Sequence, residues 1–283
     1  VGLTPVKNHG KWGYVNEKGS MKIPCQFEAA RYFSEGLAAV GLDGLWGFID
    51  TLGHIVIEPE FLQVNDFSDG LSKVIPNSVN REEKAYIDKS GKIQFHSNYE
   101  RQDDFADGLA LIRQNNKISF INKEGEVVLY TDYPHGSGFS EGIAHLWTGD
   151  TTVYIDLSGR EIYKIPGMGN GDFSEGFAFV RSPAGRGFID NKGKLHFGDI
   201  PISYYSEFSD GMSLFISLPG STINGFVDRQ GKVSVYPEYE ELRSFHEGLA
   251  TFYADSAYGF MNKKGETVIP SKYHMVRYDG FRN

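Results

Sequence analysis

Seven acidic side chains recur at one place in this chain: Glu35, Asp69, Asp107, Glu141, Glu175, Asp210 and Glu247, each directly before a glycine. Carboxylates repeated at one structural position could ring an opening and hold cations or a basic peptide. They could also supply the acid pair of a glycan-active enzyme. The plainer reading, and the one expected here, is that each caps its own turn by accepting backbone N–H bonds. A second set of positions varies instead of repeating. Five residues after the turn glycine the chain reads Lys7, Gly41, Ile75, Arg113, Trp147, Arg181, Ile216 and Tyr253. Arg113, Trp147 and Arg181 fall in consecutive copies, and Arg with Trp suits an anionic or aromatic group. Lys7, Arg113, Trp147, Arg181 and Tyr253 are therefore the candidate ligand-binding residues, with ordinary surface variation as the alternative.

Other chemistry is poorly represented. The 8 histidines share no column and no metal-ligand spacing, so no metal or cofactor is expected. His135 and His145 could lie near Trp147. Ser34 and its equivalents sit in turns beside an acid rather than a histidine, which suits turn hydrogen bonding better than nucleophilic catalysis. No catalytic residue is assigned. The single cysteine, Cys25, excludes an internal disulfide framework.

Composition narrows the partners. A net charge of −9 and a pI near 5.4 argue against a nucleic-acid backbone. No apolar run approaches the ~20 residues that a membrane-spanning helix needs. Aromatics at 14% and 34 glycines among 283 residues, without long helix-forming runs, lean towards strands and turns. Neither composition nor the N-terminus decides between cytoplasm and export.

Repetition organises all of this. Tyr14, Phe48, Tyr86, Phe120, Tyr154, Phe188, Phe226 and Phe260 are spaced by 34 or 38 residues, by subtraction. The turn glycines Gly36, Gly70, Gly108, Gly142, Gly176, Gly211 and Gly248 form a matching series with steps of 34 to 38 residues, by subtraction. After each turn, a short apolar run such as Leu37 to Val40 reads as a buried strand. A second strand carries the aromatic and ends in Asp or Asn, as at Asp50, with a glycine three residues on, as at Gly53. That spacing predicts an Asx turn closed by a positive-φ glycine. A third strand follows (Ile55-Val56-Ile57), then a looser segment that could form a short fourth. The two longer intervals come from extended hairpins at 76–83 and 219–224.

Trp12-Gly13-Tyr14-Val15-Asn16 and Trp46-Gly47-Phe48-Ile49-Asp50, together with the Phe33-Ser34-Glu35-Gly36 turn, closely resemble the bacterial WG (KWG) repeat family. The resemblance covers essentially the whole chain. It implies a β-rich repeat with no established enzymatic activity, and hence a binding or scaffolding module in a bacterial protein. The namesake tryptophan is replaced in most copies (Lys84, Ile118, Thr152, Arg186, Asn224, Tyr258), whereas the aromatic two residues on persists. The Tyr/Phe column is therefore expected to form the core.

The expected fold is all-β: one domain over 1–283, with eight antiparallel units of about 34 residues. Seven are read as complete, and the eighth as split between residues 1–11 and 258–283, which would set Leu3 beside Phe260. A split unit favours a closed propeller-like toroid, since pairing the two ends removes strand edges; an open β-superhelix is the alternative. The expected function is a monomeric, non-catalytic module recognising a peptide, protein surface or glycan. A glycan-active enzyme with acids in a central cavity is the alternative.

Overall fold

The computed structural model describes residues 2–78, 83–167, 171–182, 185–196, 202–217, 224–235, 239, 241–246, 248–273 and 275–276. Residues 79–82 and 219–223 of the two extended hairpins, Glu247 and His274 lie outside these. Every regular element among the described residues is a strand, bar isolated turns and bridges, and no helix is long and apolar enough to cross a membrane.

The repeat is built from two tight turns. At the first, Glu35 (φ 50°) and Gly36 (φ 88°) both occupy the left-handed region, which is the geometry of a two-residue type I′ hairpin. In the next copy Ser68 and Leu71 exchange both backbone hydrogen bonds, at 2.9 and 3.1 Å, around Asp69-Gly70. At the second, Asp50 Oδ1 accepts the N–H groups of Leu52 and His54, both at 2.9 Å, while the Gly53 N–H donates to the Asp50 carbonyl at 3.0 Å. The Asx turn read from sequence is present, and its aspartate accepts one bond more than expected.

These turns produce antiparallel meanders. Strands Ala29–Ser34, Leu37–Leu42, Leu45–Ile49 and Ile55–Val64 follow one another, and the last runs on to pair with Leu71–Pro76. Two successive repeats thereby share one seven-stranded sheet, ending in Lys84–Asp88 and Ile93–Ser97. In most repeats the segment before the first strand is a genuine fourth strand, as at His135–Gly136 against Ile143–Thr148, whereas the sheet of Phe177–Ser182 has three described strands. The glycine of the Trp-Gly pair has a steric cause. A Cβ on Gly47 would stand 2.4 Å from the Ile57 carbonyl oxygen and 2.7 Å from Pro59 N, where the third strand bulges across it.

By density of contacts the chain falls into two compact units: Val1–Tyr99 with Tyr253–Phe260 and Thr267–Asn283, and Glu100–Phe252 with Met261–Glu266. In the first, strand Leu3–Asn8 lies between Lys11–Asn16 and Met275–Val276, with Val6 opposite Val276. This corrects the expected split repeat. The strand of Phe260, Ala257–Met261, has its own first strand in Leu249–Ala254, so Leu3 and Phe260 belong to different sheets. The chain's end instead supplies the fourth strand of the sheet that its beginning starts. The reading went wrong because Leu249 to Tyr253 already fills the place assigned to Leu3.

The aromatic column is the core, as expected. All eight rings, from Tyr14 to Phe260, are at most 2% exposed, and rings of this size bury ~150–250 Å² each. Six of them pack on the phenylalanine of the following turn, among them Tyr14 on Phe33 at 4.9 Å and Phe48 on Phe67 at 4.8 Å in the first unit, and Phe120 on Phe139 at 4.8 Å and Phe226 on Phe245 at 4.6 Å in the second.

Candidate functional site

Five of the seven turn acids reach forward instead of capping their own turns. Glu35 accepts the N–H of Gly70 at 3.0 Å; Asp107 accepts that of Gly142, Glu141 that of Gly176 and Glu175 that of Gly211, each at 2.7 Å. Asp210 does the same for Gly248 at 2.6 Å. Each carboxylate thus holds the turn of the next repeat. The preceding serine adds a second bond in the same direction: Ser34 to the Phe67 carbonyl, Ser140 to that of Phe173 and Ser174 to that of Phe208, each at 2.6 Å. The side chain reaches forward because its own turn amides face their hairpin partners, leaving the glycine N–H one repeat on as the nearest open donor. In the first unit Lys89 pairs with Glu35 at 3.1 Å, and in the second Arg229 pairs with Glu175 at 2.8 Å. Among the described residues no group of three or more His, Cys, Asp or Glu side chains is arranged to hold a metal ion.

The variable positions sit at the hairpin end of the first strand, each directly opposite the Trp column. Lys7 faces Trp12, with its Nζ 5.8 Å from the ring, and Gly41 faces Trp46. Arg113 faces Ile118, Trp147 faces Thr152 and Arg181 faces Arg186. The ring of Tyr253 lies 4.9 Å from that of Tyr258. The two variable columns therefore face each other across the hairpin, a relation that sequence reasoning missed although both columns were in view. The described contacts of the candidates stay within their own sheets. Arg113 donates through Nη2 to Asn116 Oδ1, and its Nε is buried without a hydrogen-bond partner among the described residues. Arg181 lies over the ring of Phe179 at 5.6 Å.

Trp147 is the centre of a ring stack. His135 lies 5.6 Å away at an interplanar angle of 19°, and His145 lies 5.4 Å away at 20°. His145 is buried, 5% exposed, and its Nδ1 is 2.9 Å from Ser137 Oγ and 3.4 Å from an Asp172 oxygen. Burial pushes its pKa down, the Asp172 carboxylate opposes this and the Arg101 guanidinium adds to it. Ser137 and Asp172 both approach the same imidazole nitrogen. A proton relay needs them on opposite nitrogens, so this Ser–His–Asp set is a packing cluster rather than a nucleophile.

The second unit also carries a cleft of about 450 Å³ between the third strand of one repeat, Val127–Tyr130 with the residues to Tyr133, and the next repeat's Ile143–Thr148 and Thr151–Asp156 hairpin. Buried Leu146 and Ile155 form its floor. Tyr133 reaches across its mouth to donate to Glu161 at 3.1 Å. Burial, and then the Glu161 charge, raise the Tyr133 pKa; the Lys164 ammonium, 2.8 Å from Glu161, holds that carboxyl below its usual range.

Comparison with known proteins places this geometry. A family model described as the WG containing repeat matches residues 12–46, 46–75, 85–117, 225–254 and 258–281, together more than half of the chain. No curated protein matches the sequence. Among solved structures, dihydro-heme d1 dehydrogenase NirN in complex with DHE is similar with a TM-score of 0.59 and 14% identity, over 96% of this chain and 74% of that one. BamB from Moraxella catarrhalis is similar with a TM-score of 0.51 and 10% identity, over 92% and 93%. Hsv2p of Kluyveromyces lactis is similar with a TM-score of 0.50 and 10% identity, over 80% and 89%. BamB and NirN are propellers, and at these identities the likeness is one of fold alone.

Proposed function

The chain belongs to the WG repeat family, and from that premise we propose that it is a non-catalytic binding or scaffolding module that recognises a peptide, a protein surface or a glycan. The observation that carries this reading is the forward bond from a turn acid to the next turn's glycine, made by Glu35, Asp107, Glu141, Glu175 and Asp210. It accounts for these repeated residues by holding neighbouring repeats together, so none of the five stands as a free acid–base pair. Specificity then belongs to positions that change, namely Lys7, Arg113, Trp147, Arg181 and Tyr253. A column able to present Lys, Arg, Trp and Tyr in one register offers cationic and aromatic recognition from a rigid scaffold.

We read the architecture as eight repeats closed into a ring by the chain ends. Support comes from the eight buried aromatics, from the pairing of Leu3–Asn8 with Met275–Val276, and from two equivalent glycine contacts. A Cβ on Gly53 would lie 3.1 Å from Ile23, and one on Gly19 would lie 3.3 Å from Ile269, so the repeat holding Gly19 meets a late strand as other repeats meet their predecessors. Propeller neighbours fit the same reading. The ring acts as a monomer.

The test replaces Arg113, Trp147 and Arg181 together by Ala and compares the variant with the parent on peptide and glycan arrays. The parent is expected to retain a subset of ligands that the variant binds at least tenfold more weakly. Undiminished binding by the variant removes the proposed face.

A further inference from the structure

We infer that the cleft between Tyr133 and Thr148 binds a neutral, hydroxyl-rich ligand of one to two sugar rings. This deepens the binding-module reading and rests on it. The cleft is set apart first by sequence position. Seven residues after the core aromatic, at or near the start of the third strand, the other repeats carry Met21, Ile55, Ile93, Val127, Leu195, Val233 and Thr267; alone in that series Glu161 is charged. A carboxylate among uncharged equivalents is not required by the scaffold, which is made without it elsewhere.

The chemistry of the rim then selects the ligand. Asp132 is held by Lys117 at 2.7 Å and Glu161 by Lys164 at 2.8 Å, so neither acid calls for a cationic guest. Yet an ionised carboxylate has about four lone-pair sites, and these two partners and the Tyr133 hydroxyl leave several open. Spare acceptors without spare charge suit hydroxyl donors. Tyr130, 77% exposed beside the opening, offers a ring face for the apolar side of a pyranose. Leu146 and Ile155 beneath supply the apolar floor that small-molecule sites share, and the volume lies within the usual range for such sites, ~300–1,000 Å³. A wholly apolar guest would strip water from two ion pairs with nothing in exchange.

The experiment titrates the intact chain with maltose, cellobiose and N,N′-diacetylchitobiose by saturation-transfer NMR and calorimetry, and in parallel with a Lys/Arg-rich decapeptide. Variants are Tyr130→Ala, an exposed change that leaves the core untouched, and Glu161→Gln. At least one disaccharide is expected to bind, weakened about tenfold by Tyr130→Ala and less by Glu161→Gln, which keeps an acceptor. Sugar binding lost in the Arg113, Trp147 and Arg181 variant but not in Tyr130→Ala overturns the cleft and keeps the module. Peptide binding lost in Tyr130→Ala overturns the sugar class and keeps the cleft. If neither probe binds, and the arrays are blank too, both readings fall together.

Discussion

The carboxylate of Glu141 accepts a hydrogen bond at 2.7 Å from the backbone N–H of Gly176, one repeat further along the chain. Glu141 itself sits at φ 54°, a left-handed conformation that a side chain makes costly. The bond and the conformation come as a pair, because only this backbone aims the carboxylate forward.

Glu141→Ala is accordingly expected to destabilise the protein by about 0.5–1.5 kcal/mol, the net worth of a hydrogen bond whose exposed N–H can turn to water once its partner is gone. Glu141→Gly loses the same bond but relaxes the left-handed backbone, and should recover about 1 kcal/mol of that. Urea denaturation of the two variants measures the difference. Equal stability of both with the parent would show that the forward bond carries no weight.

Gly47→Ala should be among the most damaging single-carbon additions in the molecule. Its Cβ would meet backbone atoms of Ile57 and Pro59 that cannot turn aside, so a loss of roughly 1–3 kcal/mol is expected. Gly138→Ala, with no atom within 4 Å of the added carbon, serves as the matched control and should melt within a degree or two of the parent. Thermal unfolding followed by circular dichroism separates them.

His145 gives a pH dependence whose sign follows from burial. Its folded pKa lies below the ordinary 6.5, so as pH falls through 6.5 the unfolded chain takes up a proton that the folded chain refuses. Stability is therefore lost below about pH 6.5 and the loss levels off once pH is under the folded pKa. His145→Gln should flatten melting temperature against pH between 7.5 and 5.5, a window above the ordinary carboxylate range. A His145 proton resonance titrating above 6.5 would contradict this.

Removing residues 274–283 deletes the strand that pairs with Val6 and Lys7. Leu3–Asn8 would become an open edge. Amide exchange across that strand is expected to accelerate by at least tenfold, with the Val127–Tyr130 strand unaffected. Unchanged protection at Val6 and Lys7 would mean that the terminal pairing is not maintained in solution.

What could be read from the residues alone was whatever closes over short distances. The Asp50 turn was legible because its acceptor and donors lie within four residues. The Tyr14 to Phe260 column was legible because burial keeps it aromatic. Glu141 was misread because its partner is Gly176, and nothing in a local pattern says which turn a carboxylate reaches. Gly47 was likewise opaque: the reason for it is the backbone of Ile57 to Pro59 bulging across it, and the matching bulge across Gly13 uses Ile23 to Cys25, so no shared residue type marks the place. The burial of His145 was opaque too, since alternation along Ile143–Thr148 fixes its face but not what packs against that face.

Every forward bond joins residues about one repeat apart, so each can form as soon as the following turn has been synthesised. The contact of Val6 with Val276 is of another order, closing nearly the entire chain into a loop. Its closure entropy exceeds that of a single-repeat bond by about 2 kcal/mol, so it should be the last to form and the first to open. A polypeptide emerging from the ribosome would assemble vectorially, each arrival clasped by its predecessor, and the clasp between Val6 and Val276 would be fastened only after the last of these strands had emerged.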